Sequence, residues 1–203
     1  ISNYLDKYIR SPEDENDLKI IKENIDKLKN DMVNFLDIEK HEQAKVFYNH
    51  NQIVSLTDFI EQKVMLFRES ARIKNIDINL NFKSHCYLQI DPAALDRIIN
   101  NLMDNAIKYT KPFWKIDLNI NSEDSKINLE IADTGIGIPL EQQENIFKLF
   151  HQISHEKRNI QGLGMGLSIV KKIIDDIGAK IEIISKVNMG TKFIVTFNEY
   201  HLK

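Results

Sequence analysis

Two stretches, residues 114–121 and 126–133, alternate apolar and polar side chains, and only the polar turn Ser122-Glu123-Asp124-Ser125 separates them. A period of two gives each stretch one apolar face, and so short a connection pairs the two antiparallel. The same alternation recurs at Ile76, Ile78, Leu80 and Phe82, and again around residues 180–185 and 191–197. A sheet with one apolar face needs a cover. Helical spacing supplies it at Phe59, Ile60, Val64, Phe67 and Ala71, at Leu95, Ile98, Ile99, Leu102, Met103 and Ala106 within residues 92–109, and at Leu167, Val170, Ile173 and Ile174 within residues 166–177. Gly178 is the expected C-cap of the last of these helices, and a further helix is expected near residues 141–149. Helices and strands mix without strict βαβ alternation. The expected class is α+β: a two-layer α/β sandwich whose mixed, largely antiparallel sheet is covered on one face by helices, and not a Rossmann fold.

Upstream, Leu18, Ile21, Ile25, Leu28, Met32 and Phe35 recur in steps of three and four, an a/d seam suited to packing along another helix. Ser11-Pro12-Glu13-Asp14 reads as the start of that helix, and Ile1, Leu5 and Tyr8 as the tail of a preceding one. Residues 1–45 are therefore expected to be an N-terminal helical hairpin and residues 46–203 the sandwich, with the boundary near residues 41–54. Periodicity alone leaves open whether the hairpin only packs on the following module.

The 203 residues carry a formal net charge of −3, which offers no basic face for nucleic acid. A single cysteine, Cys86, makes no internal disulfide and suits a reducing compartment. No apolar run is long enough to span a bilayer, so direct membrane contact is not expected, and the chain reads as cytoplasmic.

Three stretches carry chemistry. Asn101, Asn105 and Lys108 lie at i, i+4 and i+7 on one polar helix face. An amide oxygen can ligate Mg²⁺ and a lysine can meet phosphates, although an ordinary solvated face has the same look. Asp133 closes a strand and is followed by Thr134-Gly135-Ile136-Gly137-Ile138-Pro139. A carboxylate there can accept from an exocyclic amino group, and glycines let backbone approach a flat ring; a plain strand-ending turn is the alternative. Gly162, Gly164 and Gly166, interleaved with Leu163 and Met165, lead to Leu167 and a helix. Free N–H groups and the positive end of the helix dipole would suit a polyphosphate there, and a linker would look similar. The run is neither a Walker nor a Rossmann fingerprint.

The order and spacing of these three motifs resemble the ATP-binding domain of sensor histidine kinases, in the ATPase superfamily shared with DNA gyrase, Hsp90 and MutL. Ile146-Phe147-Lys148-Leu149-Phe150 is similar to the family's phenylalanine box, and Asn188-Met189-Gly190-Thr191 to its last glycine box. The resemblance implies ATP and Mg²⁺ as ligands. Asn105 would be the Mg²⁺ ligand and Asn105 and Lys108 the catalytic pair. Asn101, Tyr109, Asp133, Gly135, Gly137, Ile138, Thr191 and the run of residues 162–167 would complete the nucleotide site, with Asp133 reading the adenine amino group. It also implies phosphotransfer to a response regulator receiver domain and a homodimer formed through the helical hairpin. Met165, where the family usually has leucine, is a volume-conserving change.

Two departures matter. Asn101 stands where the hydrolytic branches carry a water-activating glutamate, and an amide cannot act as a general base, which favours phosphoryl transfer over hydrolysis. The family's phosphoacceptor His-Glu or His-Asp element on the first hairpin helix is missing. His41-Glu42 falls after the second helix, and His50, His85, His151, His155 and His201 read as surface residues. The chain is thus expected to act on a histidine it does not itself contain, and the form of the motifs and hairpin is also similar to the kinase core of hybrid sensors. A nucleotide-binding pseudokinase or dimerisation module without phosphotransfer is the alternative. The polar segment 151–161 is expected to be a mobile loop.

Overall fold

The computed structural model describes residues 48–83, 85–153 and 163–202, together with Asp17, Leu18, Ile21, Ile25, Lys29 and Met32. Those six positions are helical, and Ile21, Ile25 and Met32 of the expected seam are exposed. The rest of the expected hairpin, His41, most of the expected loop at residues 151–161, and Gly162 lie outside the described residues.

The elements run β1 (Ile53–Ser55), α1 (Leu56–Ile73), β2 (Asp77–Phe82), β3 (Tyr87–Gln89), α2 (Pro92–Tyr109), β4 (Lys115–Glu123), β5 (Lys126–Asp133), α3 (Gly166–Asp176), β6 (Lys180–Lys186) and β7 (Gly190–Asn198). Five strands form one sheet in the order β2-β4-β5-β7-β6, antiparallel except for the parallel β2–β4 pair. The expected mixed sandwich is what the described residues form.

Alternation decides which face is covered. Register aligns Leu118, Ile131, Phe193 and Ile183 in one row across β4, β5, β7 and β6, and Ile120, Leu129, Val195 and Ile181 in the next. Against these rows pack Ile98, Leu102 and Met103 of α2 and Ile169, Val170 and Ile173 of α3, all in one buried cluster with Leu56, Ile60 and Val64 of α1. Among the described residues the opposite face carries a polar ladder. Asn81 donates to Asn119 at 3.0 Å, Asn119 to Glu130 at 3.3 Å, and Lys192 to Glu130 at 3.0 Å.

Local chemistry starts the helices where they are needed. The Asp91 carboxylate accepts from Ala93 N at 2.8 Å, and Pro92 occupies the first turn of α2. Ser55 caps α1 by accepting from Asp58 N at 3.3 Å. Gly178, at φ 63, follows the end of α3 as expected.

Two expectations need correcting, and one strand pair went unanticipated. The helix near residues 141–149 is two 3-10 turns, Leu140–Gln142 and Asn145–Phe147. Only Ile146 is buried in them, so no apolar stripe holds a full helix, and the Gln143 amide is drawn away to Ile138 O and Ser185 O. Strands β1 and β3, three residues each, were too short to show a period, and they pair antiparallel beside the main sheet. The β4–β5 turn is two residues and not four, since Glu123 pairs with Lys126.

Asp124 and Ser125 in that turn have φ 50 and 59, the left-handed pair of a type I′ hairpin. Replacing them with Asn-Gly is expected to raise stability by about 0.5 to 1 kcal/mol, read as a higher urea midpoint with an unchanged slope.

Candidate functional site

The next cross-strand row on the covered face is different. Register places Ile116, Asp133, Thr191 and Ser185 side by side across β4, β5, β7 and β6, so the apolar rows end in a polar rim. Asp133 is the last residue of β5 and Thr191 is 7% exposed. Two backbone N–H groups converge on one oxygen of the carboxylate: Gly135 N at 2.7 Å and Thr191 N at 3.3 Å from Oδ1. Among the described residues Oδ2 takes no donor. Burial pushes the Asp133 pKa up to about 6, against the two N–H bonds that pull it down.

The loop after Asp133 is stapled on both sides. Ile136 N donates to Tyr109 O at 3.3 Å, joining the loop to the end of α2, and Asn188 N donates to Ile136 O at 2.7 Å, joining it to the β6–β7 turn. Ile138 N donates to Ser185 Oγ at 2.8 Å. Gly137 has φ 69, and a Cβ there would lie 2.0 Å from Lys186 O, so no other residue lets this loop sit so close to β6. Gly135 likewise lies against Tyr109 O.

The second wall is the polar face of α2. The Asn101 amide donates to Arg97 O at 2.8 Å, one turn back, while its Oδ1 faces Gly166. A Cβ on Gly166 would be 2.4 Å from that oxygen, so glycine is what lets the first turn of α3 reach α2. Asn105, one turn on, is partly buried, and its amide makes no hydrogen bond among the described residues. Lys108 Nζ stands 4.9 Å from the centre of the Tyr109 ring, which is 38% exposed.

The third wall is the start of α3. Met165 is its N-cap residue and supplies no side-chain cap, and the Ser168 hydroxyl turns back to donate to Met165 O at 2.7 Å. Among the described residues the first N–H groups of the helix have no side-chain cap. Met165 itself is buried in the core, Leu167 packs against it from a partly buried position, and Leu163 is exposed. Gly164 takes φ 74 beside His151 O. His151 departs from the expected surface position: its Nε2 is buried, with no hydrogen-bond partner among the described residues.

The tertiary structure therefore brings Asp133, Gly135, Gly137, Ile138 and Thr191 together with Asn101, Tyr109 and Gly166, at the junction of α2, the α3 N-terminus and the sheet rim. Asn105 and Lys108 continue the same face of α2. Sequence reading missed Ser185 and Gln143. Ser185 also approaches Gly190 O and Thr191 Oγ1, each at 2.9 Å, and the Gln143 amide bridges Ile138 O at 3.0 Å and Ser185 O at 2.9 Å. A serine on an alternating strand carries no local signal, and only strand register reveals its neighbours. Among the described residues no three His, Cys, Asp or Glu side chains converge as a metal cluster.

The unfolded chain releases the Asp133 proton near its ordinary value of 3.8, and the folded chain holds it to about pH 6. The contribution of Asp133 to stability is therefore greatest below about pH 4 and is lost as pH rises to 6, above which the ionised group costs the fold about 3 kcal/mol. Asp133→Asn is expected to be more stable than the parent above pH 6, by about 1 to 3 kcal/mol, with the gain vanishing near pH 4. Urea melts across pH 4–8 check this, and a gain that does not vary with pH would contradict it.

Residues 90–201 match the family described as histidine kinase-, DNA gyrase B-, and HSP90-like ATPase. The circadian input-output histidine kinase CikA of Synechococcus elongatus is 32% identical over 152 residues, 73% of this chain and 20% of that protein. The sensor protein SrrB of Staphylococcus aureus is 29% identical over 147 residues, 72% of this chain and 25% of that protein, so the chain spans a fifth to a quarter of the length of these relatives. The solved catalytic domain of histidine kinase ThkA superposes with a TM-score of 0.66 at 29% identity, covering 76% of this chain and 97% of that one. Among the described residues no helix is long and apolar enough to cross a membrane. The chain belongs to the histidine kinase-, DNA gyrase B- and HSP90-like ATPase family and carries an ATPase domain of the sensor histidine kinase kind.

Proposed function

We propose that this chain binds Mg-ATP at the α2–α3 junction and transfers the γ-phosphoryl group to a histidine outside this sequence, for relay to a response regulator receiver domain. The observation that carries the reading is the meeting of an acceptor-only carboxylate at the sheet rim, an amide-bearing helix face and an open helix N-terminus around one junction. Asp133 Oδ2 suits the amino group of adenine. The N–H groups opening α3 and the Lys108 ammonium suit phosphate oxygens. Tyr109 and Ile138 would border the base.

The donor set fits Mg²⁺. Asn105 holds an uncommitted amide oxygen on the helix face, and a hard cation that retains waters and borrows phosphate oxygens needs few protein ligands. Bound there, the ion would neutralise charge on the transferring phosphoryl group. The chain's own residues orient the nucleotide and hold it in place.

Asn101 supports transfer over hydrolysis. Its Nδ2 is committed to Arg97 O, its oxygen lies against Gly166, and an amide has no basic site for the proton of water. In this reading Asn101 shapes the site by seating the first turn of α3. The N-terminal hairpin would form the homodimer, as the family resemblance implies.

A thermal-shift titration with a non-hydrolysable ATP analogue tests the site. Saturation at a hundred times the dissociation constant is expected to add about 2.7 kcal/mol, a rise of roughly 5 to 10 °C, with Mg²⁺ and far less without it. Asn105→Ala is expected to lose the Mg²⁺-dependent part. No shift at millimolar analogue would remove the kinase reading and leave a docking module. A shift without labelling of a histidine helix added in trans would favour a pseudokinase.

A further inference from the structure

Ser185 makes three short contacts with one hydroxyl, and counting protons among them fixes more than its own position. Its Oγ accepts from Ile138 N at 2.8 Å. It lies 2.9 Å from Gly190 O and 2.9 Å from Thr191 Oγ1. A carbonyl oxygen has no proton, so the Gly190 contact is a hydrogen bond only if Ser185 donates to it. That uses the one proton Ser185 has. The Thr191 contact is then a hydrogen bond only if Thr191 donates to Ser185, which uses the one proton Thr191 has. The arrangement saturates Ser185, with two bonds accepted and one given. The reverse assignment would leave two lone pairs facing each other at 2.9 Å across the part-buried Gly190 contact.

Thr191 is thereby left with acceptor capacity alone. Its register partner on the same face is Asp133, whose Oδ1 already takes two N–H donors and whose Oδ2 takes none among the described residues. The Asp133 carboxylate and the Thr191 hydroxyl, on register partners of this row, thus offer lone pairs and no proton. A group with two N–H bonds in one plane satisfies both, as an exocyclic amino group on a purine does. An oxo group at the same place would meet acceptors only, and a buried acceptor left without a donor loses its hydration uncompensated.

We propose that Ser185 is a positioning residue for base selection: by holding the Thr191 hydroxyl as an acceptor, it makes the row formed with Asp133 select a 6-amino purine nucleotide over a 6-oxo one. The inference rests on the nucleotide-site reading above. It extends that reading from a residue the motifs contain to one they do not. Gln143 supports the arrangement from behind, since its amide ties Ile138 O to Ser185 O and holds the loop and β6 at the spacing that the Ile138–Ser185 bond requires.

The test compares ATP with inosine triphosphate, which replaces the 6-amino group with an oxo group and protonates the adjacent ring nitrogen while leaving sugar and phosphates alone. Dissociation constants for both are measured with Mg²⁺ on the parent chain, Ser185→Ala, Thr191→Val and the double variant. The parent is expected to prefer ATP. In Ser185→Ala the Thr191 hydroxyl is free to turn and donate, so the preference is expected to narrow at least tenfold, ATP weakening while inosine triphosphate holds or improves. Thr191→Val removes the acceptor itself and is expected to narrow the preference too, after which adding Ser185→Ala changes it no further.

A purely structural Ser185 would weaken both nucleotides alike. An unchanged preference in Ser185→Ala, with ATP still bound by the parent, overturns the proposal and leaves the nucleotide site standing. If Ser185→Ala does not fold, Thr191→Val decides alone, and an unchanged preference there overturns the proposal equally. A parent chain that binds neither nucleotide overturns the nucleotide reading and this proposal with it.

Discussion

The pairing of β5 with β7 is the constraint on which the rest depends. Asp133 opposite Thr191 sets every row above it, Ile131 against Phe193 and Leu129 against Val195, so the step that completes the apolar face also ends it in a polar row. A slip of one residue would turn Phe193 and Val195 to the polar face and bury Lys192 and Thr196, so packing protects the geometry of the candidate site. Gly190 locks the same register from the backbone, since a Cβ there would lie 2.0 Å from Asp133 O.

From that rim the site is assembled by close approach. Gly137 brings the loop against Lys186 and Gly166 brings α3 against Asn101, so two of the glycines act by what they leave out. The polar groups so gathered are kept half-satisfied. Asp133 is a carboxylate partly buried with one oxygen bonded twice and the other free of donors, a costly arrangement for a fold in the absence of a ligand. Stability given up at a site and recovered on binding is what a nucleotide-responsive domain requires.

Much of this was legible in the chain. The bounds of α2 were readable from Pro92 and from the apolar stripe Leu95-Ile98-Ile99-Leu102-Ala106, because capping chemistry and helical period are both local. Asp133 and the glycines after it stood out because they fall in order between the Asn101–Lys108 helix face and the glycine run before α3, whereas alone they read as a plain strand-ending turn. Residues 141–149 misled, because a helix needs an apolar stripe that this stretch lacks and its Gln143 amide bonds outside it, to Ile138 O and Ser185 O. Ser185, Gln143 and the buried edge of His151 gave no local signal at all.

What the sequence by itself determined is the set of elements, the face of each that must be buried, and the residue types able to meet a nucleotide. Period, capping and backbone freedom act over a few residues, and so they can be read along the chain. Only the tertiary structure decided that Ser185 stands beside Thr191 and Thr191 beside Asp133, and that Asn101 lies against Gly166. Those facts depend on strand register and on helix approach, which are set by packing among residues far apart in the chain, such as Ile127 with Phe197 and Asn101 with Gly166. No local rule carries such contacts, because the energy that selects them is that of the whole buried face.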